Sequence, residues 1–144
     1  IELAGQINTA MPDHVVELIR SGLNDRQKSV KASKVLLVGV AYKKNISDVR
    51  ESPSLDVMRL LEDQGAAVDF HDPMVNEISW NGRTKTGLYQ LDSKKIAGYD
   101  AVVILTEHSG VDYDRIMESG TLIVDTRNVY DGVVSENIVK LGVS

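Results

Sequence analysis

The chain contains no cysteine. That excludes disulfides, thiolate metal sites and a cysteine nucleophile within its 144 residues. No apolar run approaches the roughly 18 residues of a membrane span, and no signal-peptide pattern is visible. An excess of positive charge is also missing. Sixteen Lys and Arg against 21 Asp and Glu leave a formal net charge of −5, which argues against non-specific nucleic-acid binding. A small anion remains compatible, because it needs only a few local cations. His14, His71 and His108 have no metal-ligand spacing. His14 reads as a surface helix residue and His71 as a polar group at a strand end. No internal repeat or low-complexity tract is present.

What is there suits one globular domain. An apolar fraction of 42% with 26% charged residues can bury a real core at this length. The chain begins at Ile1 rather than Met, so a piece of a longer protein is expected.

The organising stretch runs from Ser33 to Leu61. Val35 to Val40 is continuously apolar and rich in β-branched valine, as in a central strand covered on both faces. A long polar loop follows, carrying Lys43, Lys44, Asp48, Arg50 and Glu51. Ser52 then caps a helix whose first residue is Pro53, with Leu55, Val57, Met58, Leu60 and Leu61 on a wide apolar face that ends at Gly65. Strand, loop and helix in that order open a Rossmann-like unit. Gly39 sits where a phosphate-binding turn would begin, yet no Gly-x-Gly-x-x-Gly follows. A dinucleotide bound in the standard manner is therefore not expected here.

Upstream, Asn8 or Thr9 is placed to cap a helix starting near Pro12, with Met11, Val15, Leu18 and Ile19 on one face and an end at Gly22 or toward Lys28. Downstream, Ala66 to His71 reads as a strand stopped by Asp72-Pro73. An acid at the end of a second strand can hold a ribose in NAD-binding domains. Without the upstream glycines, a turn-forming role for Asp72 is the better reading. Residues 74 to 90 read as an irregular solvated excursion. Leu91 to Ile96 is a short helix closed by Gly98, Ala101 to Leu105 a third strand, and Val111 to Glu118 a helix. Thr121 to Val124 is a fourth strand, and Ser135 caps a last helix to Leu141. The fold class is α/β: a three-layer Rossmann-like domain with a mainly parallel sheet, preceded by a helix.

Parallel strands joined by right-handed crossovers gather their C-termini on one edge. Three polar clusters meet there: Tyr42 to Arg50, Thr106 to His108, and Asp125 to Arg127. Lys43, Arg50 and Arg127 are three cations that suit a diphosphate; Lys44 reads as solvated charge. Asp48 and Asp125 each precede an arginine by two residues and are expected to orient it by a salt bridge. His108 can act as an acid or base, but no nucleophile is evident beside it.

The run Gly39-Val40-Ala41-Tyr42-Lys43 followed by Asp48-Val49-Arg50-Glu51-Ser52-Pro53 resembles the C-terminal domain of the UDP-glucose/GDP-mannose dehydrogenase family. Thr106-Glu107-His108, Asp125-Thr126-Arg127-Asn128 and the opening Asn8-Thr9-Ala10-Met11-Pro12 fit it in the family order. The resemblance is closer to the bacterial UDP-N-acetylglucosamine and UDP-N-acetylmannosamine 6-dehydrogenases than to animal UDP-glucose enzymes.

The resemblance implies residues 1–29 as the end of a central helical linker region and residues 30–144 as the UDP-sugar-binding domain. It implies NAD as cofactor, bound mainly by an absent N-terminal domain, and oxidation of a sugar C6 alcohol to a carboxylate. The catalytic cysteine would lie upstream, leaving no catalytic residue and no metal ligand here, so the fragment alone is expected to be inactive. Tyr42, Lys43 and Arg127 match substrate-binding positions. Arg50 matches an arginine that approaches the NAD pyrophosphate, which revises the three-cation picture. The implied partners are a UDP-sugar, the chain's own NAD-binding domain and a second copy in a homodimer, in the cytoplasm. Two other readings stay open: a free-standing nucleotide- or phosphate-binding regulatory module, and a non-catalytic interaction domain.

Overall fold

In the computed structural model, which describes residues 2–41, 52–80 and 83–141, a five-stranded parallel sheet carries the chain. Its strands are β1 (Lys34–Val38), β2 (Ala67–His71), β5 (Ala101–Ile104), β6 (Leu122–Asp125) and β7 (Ile138–Lys140), in the spatial order β2-β1-β5-β6-β7. The chain leaves β1 outward to β2, then returns across it to β5. The reversal makes a topological switch point between β1 and β5, where α/β sheets of this order bind ligands.

Strand side chains alternate between two packed layers. Val35, Leu37, Val103 and Val124 face helices α1 (Glu2–Asp25) and α2 (Pro53–Asp63). Leu36, Val38, Val102, Ile104 and Ile123 face α3 (Ser93–Ala97) and α4 (Tyr113–Glu118), through Ile96 and Ile116. Every residue of β5 and β6 is buried, which explains their uninterrupted apolar reading. The start of α2 follows the sequence expectation: Ser52 is its N-cap, accepting the Ser54 N–H at 3.2 Å, and Pro53 opens the helix. Asp92 and Asp112 cap α3 and α4 in the same way, one or two residues past the starts expected from the sequence.

Three expectations are corrected. Helix α1 begins at Glu2, with Pro12 inside it, rather than near Pro12. A proline in a helix removes one backbone donor. The buried stripe Val15, Val16, Ile19 and Leu23, after the proline, packs into the main core. Residues 74–90 are not irregular: β3 (Glu77–Trp80) and β4 (Arg83–Thr86) pair antiparallel, with Ile78 buried in the core. The intervening Asn81-Gly82 is the strongest short hairpin signal a sequence offers. The final segment is strand β7 rather than a helix. Its Ile138 and Val139 pair parallel with Ile123 and Val124 on the open edge of β6.

Among the described residues, no helix is long and apolar enough to cross a membrane.

Candidate functional site

Because all five strands are parallel, their C-terminal ends form one rim. Gly39 turns the chain out of β1 with φ +85°, its N–H donating to the His71 carbonyl at 2.8 Å. The turn brings β1 against the end of β5. A Cβ built on Gly39 would lie 2.3 Å from the Thr106 carbonyl oxygen, so only glycine fits.

Asp72, at the end of β2, holds this rim together. Its Oδ2 accepts the N–H groups of Val40 (2.8 Å) and Ala41 (3.0 Å), and its Oδ1 accepts the Met74 N–H at 2.8 Å. The last of these is the Asp-Pro turn read from the sequence; the reach to β1 was not legible there. His108 Nε2 lies 3.0 Å from the same Oδ2, and both side chains are wholly buried. An oxygen already accepting two N–H groups acts as acceptor again, so Nε2 carries the hydrogen. Thr106 adds a third tie, its hydroxyl donating to the Ala41 carbonyl at 2.7 Å. The Ala41 peptide is therefore held at both its N–H and its C=O.

The rim continues toward β6. The His108 backbone N–H donates to the Tyr113 hydroxyl at 2.9 Å. The Tyr130 hydroxyl donates to the Tyr113 carbonyl at 2.6 Å, and the two rings meet edge to face. Burial pushes both tyrosines up from the ordinary value. The nearby carboxylates, Asp125 foremost for Tyr130, push the same way. Both hydroxyls therefore stay protonated at neutral pH and keep their roles in this chain of bonds.

Asp125 ends β6 almost fully buried. Its Oδ1 accepts the N–H groups of Arg127 and Val129 at 3.1 Å each, and Oδ2 accepts that of Tyr130 at 2.9 Å. Asp125 thus holds Arg127 through its backbone amide; the side-chain salt bridge expected from the sequence is replaced by this capture of the loop. Asn128 takes a left-handed φ of 59° inside the same turn, a conformation that Asn tolerates well.

The turn presents Arg127, which is exposed. It lines a cavity of about 400 Å³ with Glu107, Thr126, Asn128 and Leu141, at the C-terminal ends of β5 and β6. The volume suits a small organic ligand. An exposed guanidinium offers a planar fork to phosphate or sugar oxygens, and the Glu107 carboxylate can accept hydroxyl hydrogens. Glu107 was legible only as part of a strand-end cluster. A second cavity of about 260 Å³ lies between His71, Gln90 to Asp92 and Gly110 to Asp112.

Of the other residues singled out by sequence, Tyr42, Lys43, Asp48 and Arg50 lie outside the described residues. Among the described residues, no group of three or more His, Asp or Glu is placed to hold a metal ion. In NAD-binding domains of this kind a glycine-rich turn and a strand-end acid hold the dinucleotide. Here the glycine fingerprint is missing, and the Asp72 carboxylate that would hold a ribose is turned inward onto backbone amides.

Comparison with known proteins agrees with this architecture. The family model described as "UDP-glucose/GDP-mannose dehydrogenase family, UDP binding domain" matches residues 36–132. The UDP-N-acetyl-D-mannosamine dehydrogenase of Methanococcus maripaludis is 31% identical over 139 residues, covering 91% of this chain and 30% of that protein. The UDP-glucose 6-dehydrogenase of Rickettsia bellii is 30% identical, covering 96% of this chain and 33% of that protein. The crystal structure of an NDP-N-acetyl-D-galactosaminuronic acid dehydrogenase from Methanosarcina mazei superimposes with a TM-score of 0.76 at 30% identity, over 96% of this chain and 30% of that one. The chain spans about a third of the length of the curated relatives it matches.

Proposed function

Since the chain belongs to the UDP-glucose/GDP-mannose dehydrogenase family through its UDP binding domain, we propose that it holds the nucleotide part of a UDP-sugar at the rim of its sheet. In this reading it serves a larger NAD-dependent enzyme that oxidises the sugar C6 alcohol to a carboxylate. The observation that carries the proposal is the cavity at the ends of β5 and β6, in which Arg127 and Glu107 converge within the matched segment.

The chemistry follows from the residues. Arg127 supplies charge-assisted hydrogen bonds to substrate oxygens, and Glu107 accepts hydrogens from ribose or sugar hydroxyls. Tyr42 and Lys43, next along the chain from the anchored Ala41 peptide, complete the substrate contacts in this reading. Arg50 approaches the NAD pyrophosphate carried by an upstream domain, with Asp48 orienting it. NAD supplies the hydride acceptor there, and nothing on this rim is assigned to that transfer. The nucleophile lies upstream as well, and residues 1–29 are the end of a helical linker leading from it. The chain by itself binds and orients; it does not turn over. The full-length protein is read as a homodimer.

A calorimetric titration with UDP tests the proposal. Arg127→Ala is expected to weaken binding by roughly 10- to 150-fold, the ~1.5–3 kcal/mol of a hydrogen bond to a charged group. Arg127 is exposed, so the melting temperature should stay close to that of the wild type. Unchanged UDP affinity in Arg127→Ala removes the residue from the site.

A further inference from the structure

We propose that the buried Asp72–His108 pair positions the nucleotide site, fixing the end of β1 relative to the loop that carries Arg127. The inference rests on the UDP-binding reading above and adds residues that do not touch the ligand. Neither side chain reaches the cavity; both are wholly buried. A buried ionisable pair is a poor way to gain stability, because well-packed apolar residues of similar volume commonly do as well. This pair has a different product. Asp72 fixes the Val40 and Ala41 amides at the end of β1, while His108 ties Asp72 to the end of β5.

The tie does not stop there. From Asp72 the bonds run through the His108 ring at 3.0 Å and its backbone N–H to the Tyr113 hydroxyl at 2.9 Å. The Tyr130 hydroxyl reaches the Tyr113 carbonyl at 2.6 Å, and the Tyr130 N–H reaches Asp125 at 2.9 Å. Asp125 in turn holds the Arg127 amide. One continuous path thus joins the Ala41 peptide at the end of β1 to the Arg127 peptide. A site assembled from separate strand ends needs such a second layer to keep its contacts in register.

Three variants test the inference: His108→Leu, which removes the ring donor; His108→Gln, which returns an N–H near the same place; and Tyr113→Phe, which removes only the hydroxyl in the middle of the path. UDP affinity is measured by calorimetry well below each melting temperature, and ligand-free backbone amide spectra are recorded in parallel. His108→Leu, which takes a donor from the buried Asp72 carboxylate, should weaken UDP about 10-fold or more, and Tyr113→Phe, which leaves the His108 N–H without its acceptor, roughly 3- to 10-fold. His108→Gln should bind within about 3-fold of the wild type, since its hydrogen bond is restored. The Ala41 and Arg127 amide signals should move together in His108→Leu before any ligand is added.

Wild-type affinity in His108→Leu and Tyr113→Phe, even with lowered melting temperatures, overturns the inference and leaves the UDP-binding reading intact. Equal weakening by His108→Leu and His108→Gln also overturns it, because the restored donor then does nothing. If His108→Leu does not fold, Tyr113→Phe alone decides. A wild-type chain that does not bind UDP removes the underlying reading and this inference with it.

Discussion

Asp72→Ala should cost this domain about 3–5 kcal/mol, as expected when a buried carboxylate with several hydrogen-bond donors is removed and the donors are left unpaired. Its carboxylate accepts four hydrogen bonds, from the amides of Val40, Ala41 and Met74 and from the His108 ring. Truncation leaves buried donors at the ends of β1 and β5 without an acceptor, and an unpaired buried donor bears its whole desolvation cost. Total stabilities of domains are about 5–15 kcal/mol, so this one carboxylate accounts for a large share. At roughly 3–4 °C per kcal/mol for a chain of this size, the melting temperature should fall by about 10–20 °C. Asp72→Asn keeps the shape but turns an NH₂ toward N–H donors, and should fall between the two. Thermal unfolding followed by circular dichroism reads all three. A loss below about 1 kcal/mol in Asp72→Ala would mean that the rim does not depend on this residue.

Gly39→Ala should be comparably damaging for a different reason. The residue has φ +85°, which costs a non-glycine residue about 1 kcal/mol or more. The added methyl would also sit 2.3 Å from the Thr106 carbonyl oxygen and 2.8 Å from its nitrogen. Those atoms are backbone, held by the pairing of β5 with β1, and cannot rotate aside. Relief requires β1 and β5 to part at the switch point. We expect a loss of about 3 kcal/mol or more, as for other overpacked core positions with added backbone strain, together with weaker UDP binding. Urea unfolding measures the first and calorimetry the second. A variant as stable as the wild type would show that the two strand ends do not approach as closely as described.

How much of this was legible depended on the range of the interaction. The central strands were readable because a strand covered on both faces must be apolar throughout, as Val35 to Val38 and Ala101 to Ile104 are. Helix α2 was readable because Ser52 and Pro53 satisfy purely local rules for a helix start. Strand β7 was not, because three half-buried residues become a strand only when the open edge of β6 lies beside them. The hairpin of β3 and β4 had a local signal in Asn81-Gly82, but its polar neighbours Arg83 and Lys85 masked the alternation.

The site divides in the same way. Arg127 and Asp125 stand two residues apart and were found together, although their link runs through an amide and not through the guanidinium. The Asp72–His108 bond spans 36 positions. No spacing rule connects two such residues until the sheet has brought the ends of β2 and β5 to one rim. The family resemblance supplied the nucleotide-sugar reading, and the geometry supplied what holds its strand ends in place.

The most direct test of the account is an NMR titration of the chain with UDP, with NAD in a parallel titration. The account predicts saturable shifts in the amides of residues 105–108 and 125–130, around the cavity that Arg127 and Glu107 line, and little response to NAD. Saturable binding of NAD in place of UDP, shifts centred instead on Gln90 to Asp92 at the second cavity, or no saturable response to UDP would contradict it.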